Sequence, residues 1–375
     1  VNIPYYSIIL LIAESIRLLR KSFGKGEFFM SFDYSYFYEL AKDILTTPSP
    51  SGYTHIVIDK IKNYADELGL KSFKTNKGNL IVEFEGEDSN KTLALSAHVD
   101  TLGLMVRSIN SDGTLAITSI GGNQMMTLQG EYCKVHTRDQ KTYTGTILST
   151  SPSSHVYEDC ARKGQTADEL MIRLDEVVHS KDDALALGIQ NGDFISIDPK
   201  TTITDSGFIK SRHIDDKISV SIIFTVFKYL LENNKKPNYN IKFIISTYEE
   251  IGHGAAHLPS SIDRMIAVDM GCIGKHLSCT EYDVSICAKD SSGPYDYQMV
   301  SELIEISKKY NLGYAVDVYP FYGSDASAAL RAGHDIQAAL IGPGVHASHG
   351  VERTHIDGCT NTMKLLHAYL TEIKF

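Results

Sequence analysis

The chain has 375 residues, 43% of them hydrophobic, and a formal net charge of −10 at pH 7. That is enough chain for a packed core and two or three domains, and the acidic balance argues against nucleic acid or an anionic membrane surface as the partner, since either selects a basic face. The six cysteines, Cys133, Cys160, Cys272, Cys279, Cys287 and Cys359, form no C-x-x-C pair, so they read as reduced thiols of a cytoplasmic protein and not as a disulfide framework.

Residues 1–29 differ in character from the rest. The apolar run Ile8–Ala13 is too short to span a bilayer, and no basic stretch or small-residue cleavage site frames it. Gly24-Lys25-Gly26-Glu27 corresponds to purine-rich codons ahead of Met30. The natural chain is therefore expected to start at Met30; the competing reading is an amphipathic helix over Ile8–Leu19. Helical character begins in the tract Phe32–Leu45. Apolar residues at Ile58, Ile61, Ala65 and Leu68 mark one face of a second helix, closed by Gly69. Strand-like runs follow at Leu80–Phe84 and Thr92–Ala97, the second leading into His98. From about Arg107 to Gly207, short β-like pieces (Leu115–Ile120, Tyr132–His136, Tyr143–Leu148, Phe194–Ile197) alternate with Gly, Asn and Asp turns. This predicts a small all-β domain, 107–207, inserted into an α/β domain made of 30–106 and 208–375. The second part holds a buried helix (Lys217–Asn233), strands at Ile241–Thr247 and Met265–Asp269, a helix (Tyr297–Tyr310), a strand (Ile336–Ile341) and a closing helix (Thr360–Lys374). Strands alternating with helices predict a mostly parallel sheet flanked by helices, with functional groups gathered beyond the carboxyl ends of the strands.

Acidic and histidine residues recur at those ends. His98 and Asp100 project to the same side if the strand continues, as a metal-bound imidazole and its carboxylate partner do. Asp215 and Asp216 precede an apolar helix, where capping is the competing explanation. Glu249 and Glu250 follow the buried run Ile241–Thr247, and adjacent glutamates there repel unless a cation or proton intervenes. Asp269 ends the run Met265–Val268, and His346, His349 and His355 crowd a loop after Ile341. Each has a bland alternative; five such groups at strand ends together point to a site. A set of nitrogen and oxygen donors without thiolate suits zinc, cobalt or manganese.

These motifs resemble the cytoplasmic metallo-aminopeptidases of peptidase family forty-two of the M class, the tetrahedral, deblocking or glutamyl aminopeptidase group. HVDTLGLMV, RHIDDK, YEEIGHGAA, AVDMG, YGSDASAAL and ASHGVERTH carry the likeness, which runs from about Tyr38 to Tyr369. The segment Leu187–Asp193 resembles that family's barrel-like dimerisation domain. The resemblance implies a zinc-exopeptidase type of hydrolase fold with two divalent metal ions per chain. Asp215 bridges them, His98 and Asp269 complete one shell, and Glu250 and His349 the other. Glu249 is the implied general base on a metal-held water, and Asp100 orients His98. Three departures stand out: Thr101 replaces an acidic residue, the segment after Glu250 is one residue shorter, and His-Gly-Val-Glu replaces a His-Ser-Pro form. His349 is preferred to His346 on the match around Ser348–Glu352.

The implied activity is removal of N-terminal residues from peptides by a homo-oligomer, dimers building toward a larger shell. Ser324 and Asp325 stand in a glycine-led turn where they serve either a substrate ammonium or an ordinary helix cap. The alternative enzyme is a two-metal deacylase or amidase acting on an N-acylated or amidated small molecule; its pocket needs a cation for a carboxylate. A non-enzymatic metal-bound shell leaves Glu249 without a purpose. A paired-carboxylate glycosidase is disfavoured because adjacent strand residues face opposite ways.

Overall fold

The structure, a computed structural model, describes residues 30–375. The expected start at Met30 and the alternative helix Ile8–Leu19 both concern residues 1–29, which lie outside the described residues.

The apolar runs read from the sequence form the middle of a ten-stranded sheet. Its main path is Lys71–Lys74, Leu80–Phe84, Tyr239–Ser246, Asp88–His98, Arg264–Val268, Gln337–Val345, Val284–Asp290 and Gly293–Pro294. The four strands from Tyr239–Ser246 to Gln337–Val345 are mutually parallel. They are buried on both faces, which is why they read as continuous apolar stretches and not as alternations. The flanks Leu80–Phe84 and Val284–Asp290 join antiparallel, so the sheet is parallel at its centre and mixed toward its edges, in keeping with the mostly parallel sheet expected. Val284–Asp290 and Tyr314–Val318, parallel to each other, and the short helix Asp325–Arg331 carried no clear periodic signal.

One face of the sheet is covered by the helices Tyr34–Thr46, Ile214–Glu232 and Ile356–Glu372. The helix Ile214–Glu232 is buried nearly all round, and its Phe224 and Phe227 pack edge-on against Phe243 at centroid distances of 5.7 and 6.0 Å. The opposite face carries a second cluster around Ala255, Leu258, Ala326 and Ala329.

Six strands close into a barrel, in the order Gly103–Ile109, Leu115–Ile120, Leu170–Leu174, Thr142–Ser149, Tyr132–His136 and Phe194–Ile197. Alternate residues point inward and give the barrel its own core of Leu104, Val106, Ile117, Val135, Ile147, Ile172 and Ile195. Its first strand opens at Gly103, four residues ahead of the position 107 read from the sequence. At the other end, Thr202–Ile203 and Phe208–Ser211 already join a small sheet with Glu352–His355 of the larger body. Among the described residues no helix is long and apolar enough to cross a membrane.

Candidate metal centre

The parallel pairing that builds the sheet also assembles the site. Ser246 lies in register with His98, so the chain leaving one strand passes beside the end of the other. After Ser246 the backbone turns through a short helical turn, Glu249–Ile251, which ends at Gly252 with φ +84°, a left-handed conformation that glycine adopts without penalty. Glu249 and Glu250 therefore do not stand on a strand. Both side chains line one cavity, and the expectation that adjacent glutamates face opposite ways is corrected by the turn. That argument against a paired-carboxylate glycosidase lapses with it.

Asp215 and Asp216 sit just before the regular part of their helix, with φ/ψ outside the helical region; the peptide bond between them is cis. Asp215 stands at the centre of the site. Its Oδ1 is 3.0 Å from His98 Nε2, and its Oδ2 is 3.7 Å from His349 Nε2. His349 Nε2 is also 3.5 Å from Glu250 Oε2, and His98 Nε2 is 3.7 Å from Glu249 Oε2. Two groups of side chains could hold a metal ion, His98 with Asp215 and Glu250, and His98 with Asp216 and Asp269. His98 belongs to both, whereas the expected division gave it to one shell with Asp269. All the expected ligands thus meet at one place. His346 does not: its side chain is exposed and its backbone pairs with Arg353.

The surrounding hydrogen bonds fix these groups. His98 Nδ1 donates to the Asp100 carbonyl oxygen at 2.9 Å, and the Asp100 carboxylate lies 3.6 Å from the same nitrogen. The Asp100 carboxylate is engaged elsewhere. Its Oδ1 accepts from Glu249 N at 3.1 Å, and its Oδ2 accepts from Ser51 Oγ at 2.5 Å and Glu250 N at 3.3 Å. Two residues absent from the expected set also take part. Asp216 accepts from the His98 backbone N–H at 3.2 Å. Glu352 accepts from the backbone N–H groups of Asp215 and His349, each at 3.0 Å. Asp216 carried the signal of an acidic pair but looks identical to a cap; Glu352 carried none beyond its place after His349.

Ser324 lines the cavity, but its hydroxyl caps the helix Asp325–Arg331 and pairs with Tyr295 Oη at 2.7 Å. Asp325 is turned to Ser246 Oγ (2.6 Å) and the Ala255 N–H (2.8 Å) and does not line the cavity. The cavity measures about 250 Å³, and its lining also includes Phe321, Tyr322 and Arg331. A larger one, about 870 Å³, lies between the barrel and Leu45–Ser49 and contains none of these carboxylates.

The electrostatics of the cluster follows from its buried carboxylates. Burial, and then the neighbouring charges of Asp269 and Asp325, hold the Glu249 carboxyl well above its usual range. Burial and Asp215 do the same to Glu250, and burial and Asp269 to Asp216. Asp269 is pushed up to about 7 by burial and by Asp215. Burial opposes a charge on His98, yet its hydrogen bond to Asp215 and the charges of Glu249, Asp215 and Asp269 prevail and raise it well above the ordinary value. Asp216 Oδ1 is buried without a hydrogen-bond partner. Clustered carboxylates in a dry site repel one another unless cations neutralise them. An all-nitrogen-and-oxygen donor set with this excess of negative charge fits hard or borderline divalent ions.

The family model of the M42 glutamyl aminopeptidases matches residues 78–365. The chain belongs to the M42 glutamyl aminopeptidase family. As an M42 member it is a peptide hydrolase of aminopeptidase type, in a family whose activity depends on divalent metals. It is 45% identical over 333 residues to YhfE of Bacillus subtilis (strain 168), whose name proposes an aminopeptidase; the match covers 88% of this chain and 96% of YhfE. It is 27% identical over 350 residues to the lysyl aminopeptidase of Pyrococcus furiosus, covering 90% of this chain and 97% of that one. Among solved structures, the Pyrococcus horikoshii TET1 peptidase, described as assembling into a tetrahedron or a large octahedral shell, shares the fold. Its TM-score is 0.79 at 23% identity, with 90% of this chain and all of that chain covered.

Proposed function

We propose that this M42 chain is a dinuclear metal-dependent aminopeptidase in which Asp215 bridges the two ions and Glu249 is the general base. The observation that carries this is the position of Asp215, whose two oxygens face two different histidines, His98 and His349. His98, Asp215 and Asp269 would hold one ion, and Asp215, Glu250 and His349 the other; Asp216 is close enough to His98 and Asp269 to share in the first group. Divalent ions so held would polarise a scissile carbonyl and make water acidic enough to deprotonate near neutral pH. Glu249 is the carboxylate left over from that ligand set. It lines the cavity, and its backbone is fixed by Asp100. A carboxylate standing free beside the proposed ions suits taking a proton from water and passing it to the leaving amine. The cavity, about 250 Å³, is just below the usual range for ligand pockets of about 300–1,000 Å³, a size that supports recognition of one terminal residue.

The barrel is read as the oligomerisation module, with dimers building toward a larger closed shell that admits peptides. The shell described for the Pyrococcus horikoshii relative supports that reading. All six cysteines are free thiols, which supports a reducing, cytoplasmic setting.

One observation favours the deacylase alternative: Arg331 lines the cavity and offers the cation that a substrate carboxylate would need. Activity of the metal-loaded protein on aminoacyl-nitroanilides, compared with N-acetyl amino acids, separates the two. Turnover of the first class with one or two equivalents of zinc or cobalt bound supports the aminopeptidase; turnover of the second class alone overturns it.

A further inference from the structure

The inserted barrel supplies no carboxylate or imidazole to the site, yet one of its turns touches the loop that carries His349. Nδ1 of His349 lies 3.0 Å from the carbonyl oxygen of Gly122. A carbonyl only accepts, so Nδ1 carries the hydrogen, and in the neutral ring that leaves the Nε2 lone pair directed toward Asp215 and Glu250. The fit is close. A Cβ on Gly122 would lie 3.2 Å from His349 Nδ1, and a Cβ on Gly121, where φ is +72°, would lie 2.5 Å from Leu102 Cδ2 and 3.4 Å from the Glu250 carbonyl.

Two more contacts hold the same loop. Gln124 Nε2 donates to the Ser348 carbonyl at 3.1 Å. Buried Arg212 donates to the Thr127 carbonyl at 2.6 Å and to the Gly350 carbonyl at 3.3 Å, and pairs with Glu131 at 3.1 Å. The barrel turn is itself stapled, because Asn123 Nδ2 donates to the carbonyls of Gly103 and Ile120. The loop needs such support: Ala347 and His349 both adopt positive φ, +61° and +62°, a costly conformation for residues with a side chain.

We propose that the barrel turn Gly121–Gln124 is a positioning element of the metal centre, setting the ring orientation and tautomer of His349, so that the barrel completes the Glu250–His349 half of the site. The inference rests on His349 being a ligand, as proposed above.

The test uses full-length protein, stripped of metal and titrated with cobalt(II), followed by calorimetry and by the visible cobalt spectrum. Gly122→Ala crowds the ring; Gln124→Ala only releases Ser348. Both are expected to bind one ion per chain as the wild type does and to weaken the second by roughly 10–100-fold, the usual cost of losing support around a ligand. The spectral component of the second ion should change with it, while a general folding defect would move both ions together. His349→Ala, run alongside, separates the two claims. If it still binds two ions with wild-type affinity, the ligand assignment itself is wrong. If it loses one ion while Gly122→Ala and Gln124→Ala bind both as the wild type does, with an unchanged spectrum, the ligand assignment stands and the positioning proposal is overturned.

Discussion

Asp100→Asn tests how the Glu249–Glu250 turn is held. Three donors converge on the Asp100 carboxylate: Ser51 Oγ, Glu249 N and Glu250 N. Burial raises its proton affinity, but both oxygens face donors, so the arrangement requires the ionised form. Asparagine keeps the shape and only one acceptor oxygen. Whichever way the amide turns, its NH₂ confronts at least one buried backbone N–H of the Glu249–Glu250 turn, and the remaining bond loses its charge assistance. Stranding one such group and weakening another costs about 2–4 kcal/mol, or a fall in Tm of roughly 3–5 °C at about 1.3 °C per kcal/mol for a chain of this length. If the turn shifts by as much as ~1 Å, kcat falls by about 10²-fold. Because the Nδ1–H of His98 donates to the Asp100 carbonyl, which the substitution keeps, the ion held at His98 should stay, and any loss of metal should fall on the Glu250 side, whose backbone N–H the same carboxylate holds. The assay is kcat on an aminoacyl-nitroanilide, with metal analysis and a melting curve on the same preparation. Unchanged kcat and Tm at full metal content would refute the reasoning. Loss of the His98-side ion with the turn intact would restore the simpler view that Asp100 acts on His98 alone.

Glu249→Gln should keep its metals and lose turnover by about 10²–10⁴-fold, since the amide cannot take a proton; wild-type kcat in the metal-replete variant would remove Glu249 from the chemistry. Asp215→Ala should lose more metal than any other single ligand change, whereas His346→Ala, exposed and outside the cavity, should leave the metal content untouched; elemental analysis of both variants decides this. Chelation should lower Tm and re-addition of zinc or cobalt should restore it, because Asp215, Asp216, Glu249, Glu250 and Asp269 repel without a cation; at a hundredfold excess of free ion over Kd the gain per site is about 2.7 kcal/mol. A melting curve insensitive to chelator would contradict a bound ion. Light scattering should find an assembly larger than a monomer at micromolar concentration; a monomer with metal present would turn the barrel into a lid.

The centre of the sheet, and the candidate residues gathered at its strand ends, were legible in local sequence. Buried parallel strands are continuous apolar runs, and His98, the Glu249–Glu250 pair and Asp269 each stand just past such a run, so a local pattern carried both the element and the position of its reactive end. It also located the insert, because short strands between turn residues have their own signature. Other decisions belonged to the tertiary structure. Whether Asp216 is a cap or a neighbour of His98 depends on what its carboxylate meets, and a helix start looks the same in either case. Glu352 reaches Asp215 across 137 residues of chain, a separation no periodicity encodes. That Glu249 and Glu250 share one cavity follows from a turn closed at Gly252, and that Gly122 of the barrel touches His349 follows from how the two bodies pack. Local patterns record what a residue's own segment prefers; the orientation of a ligand is set by groups that only folding brings within hydrogen-bonding distance.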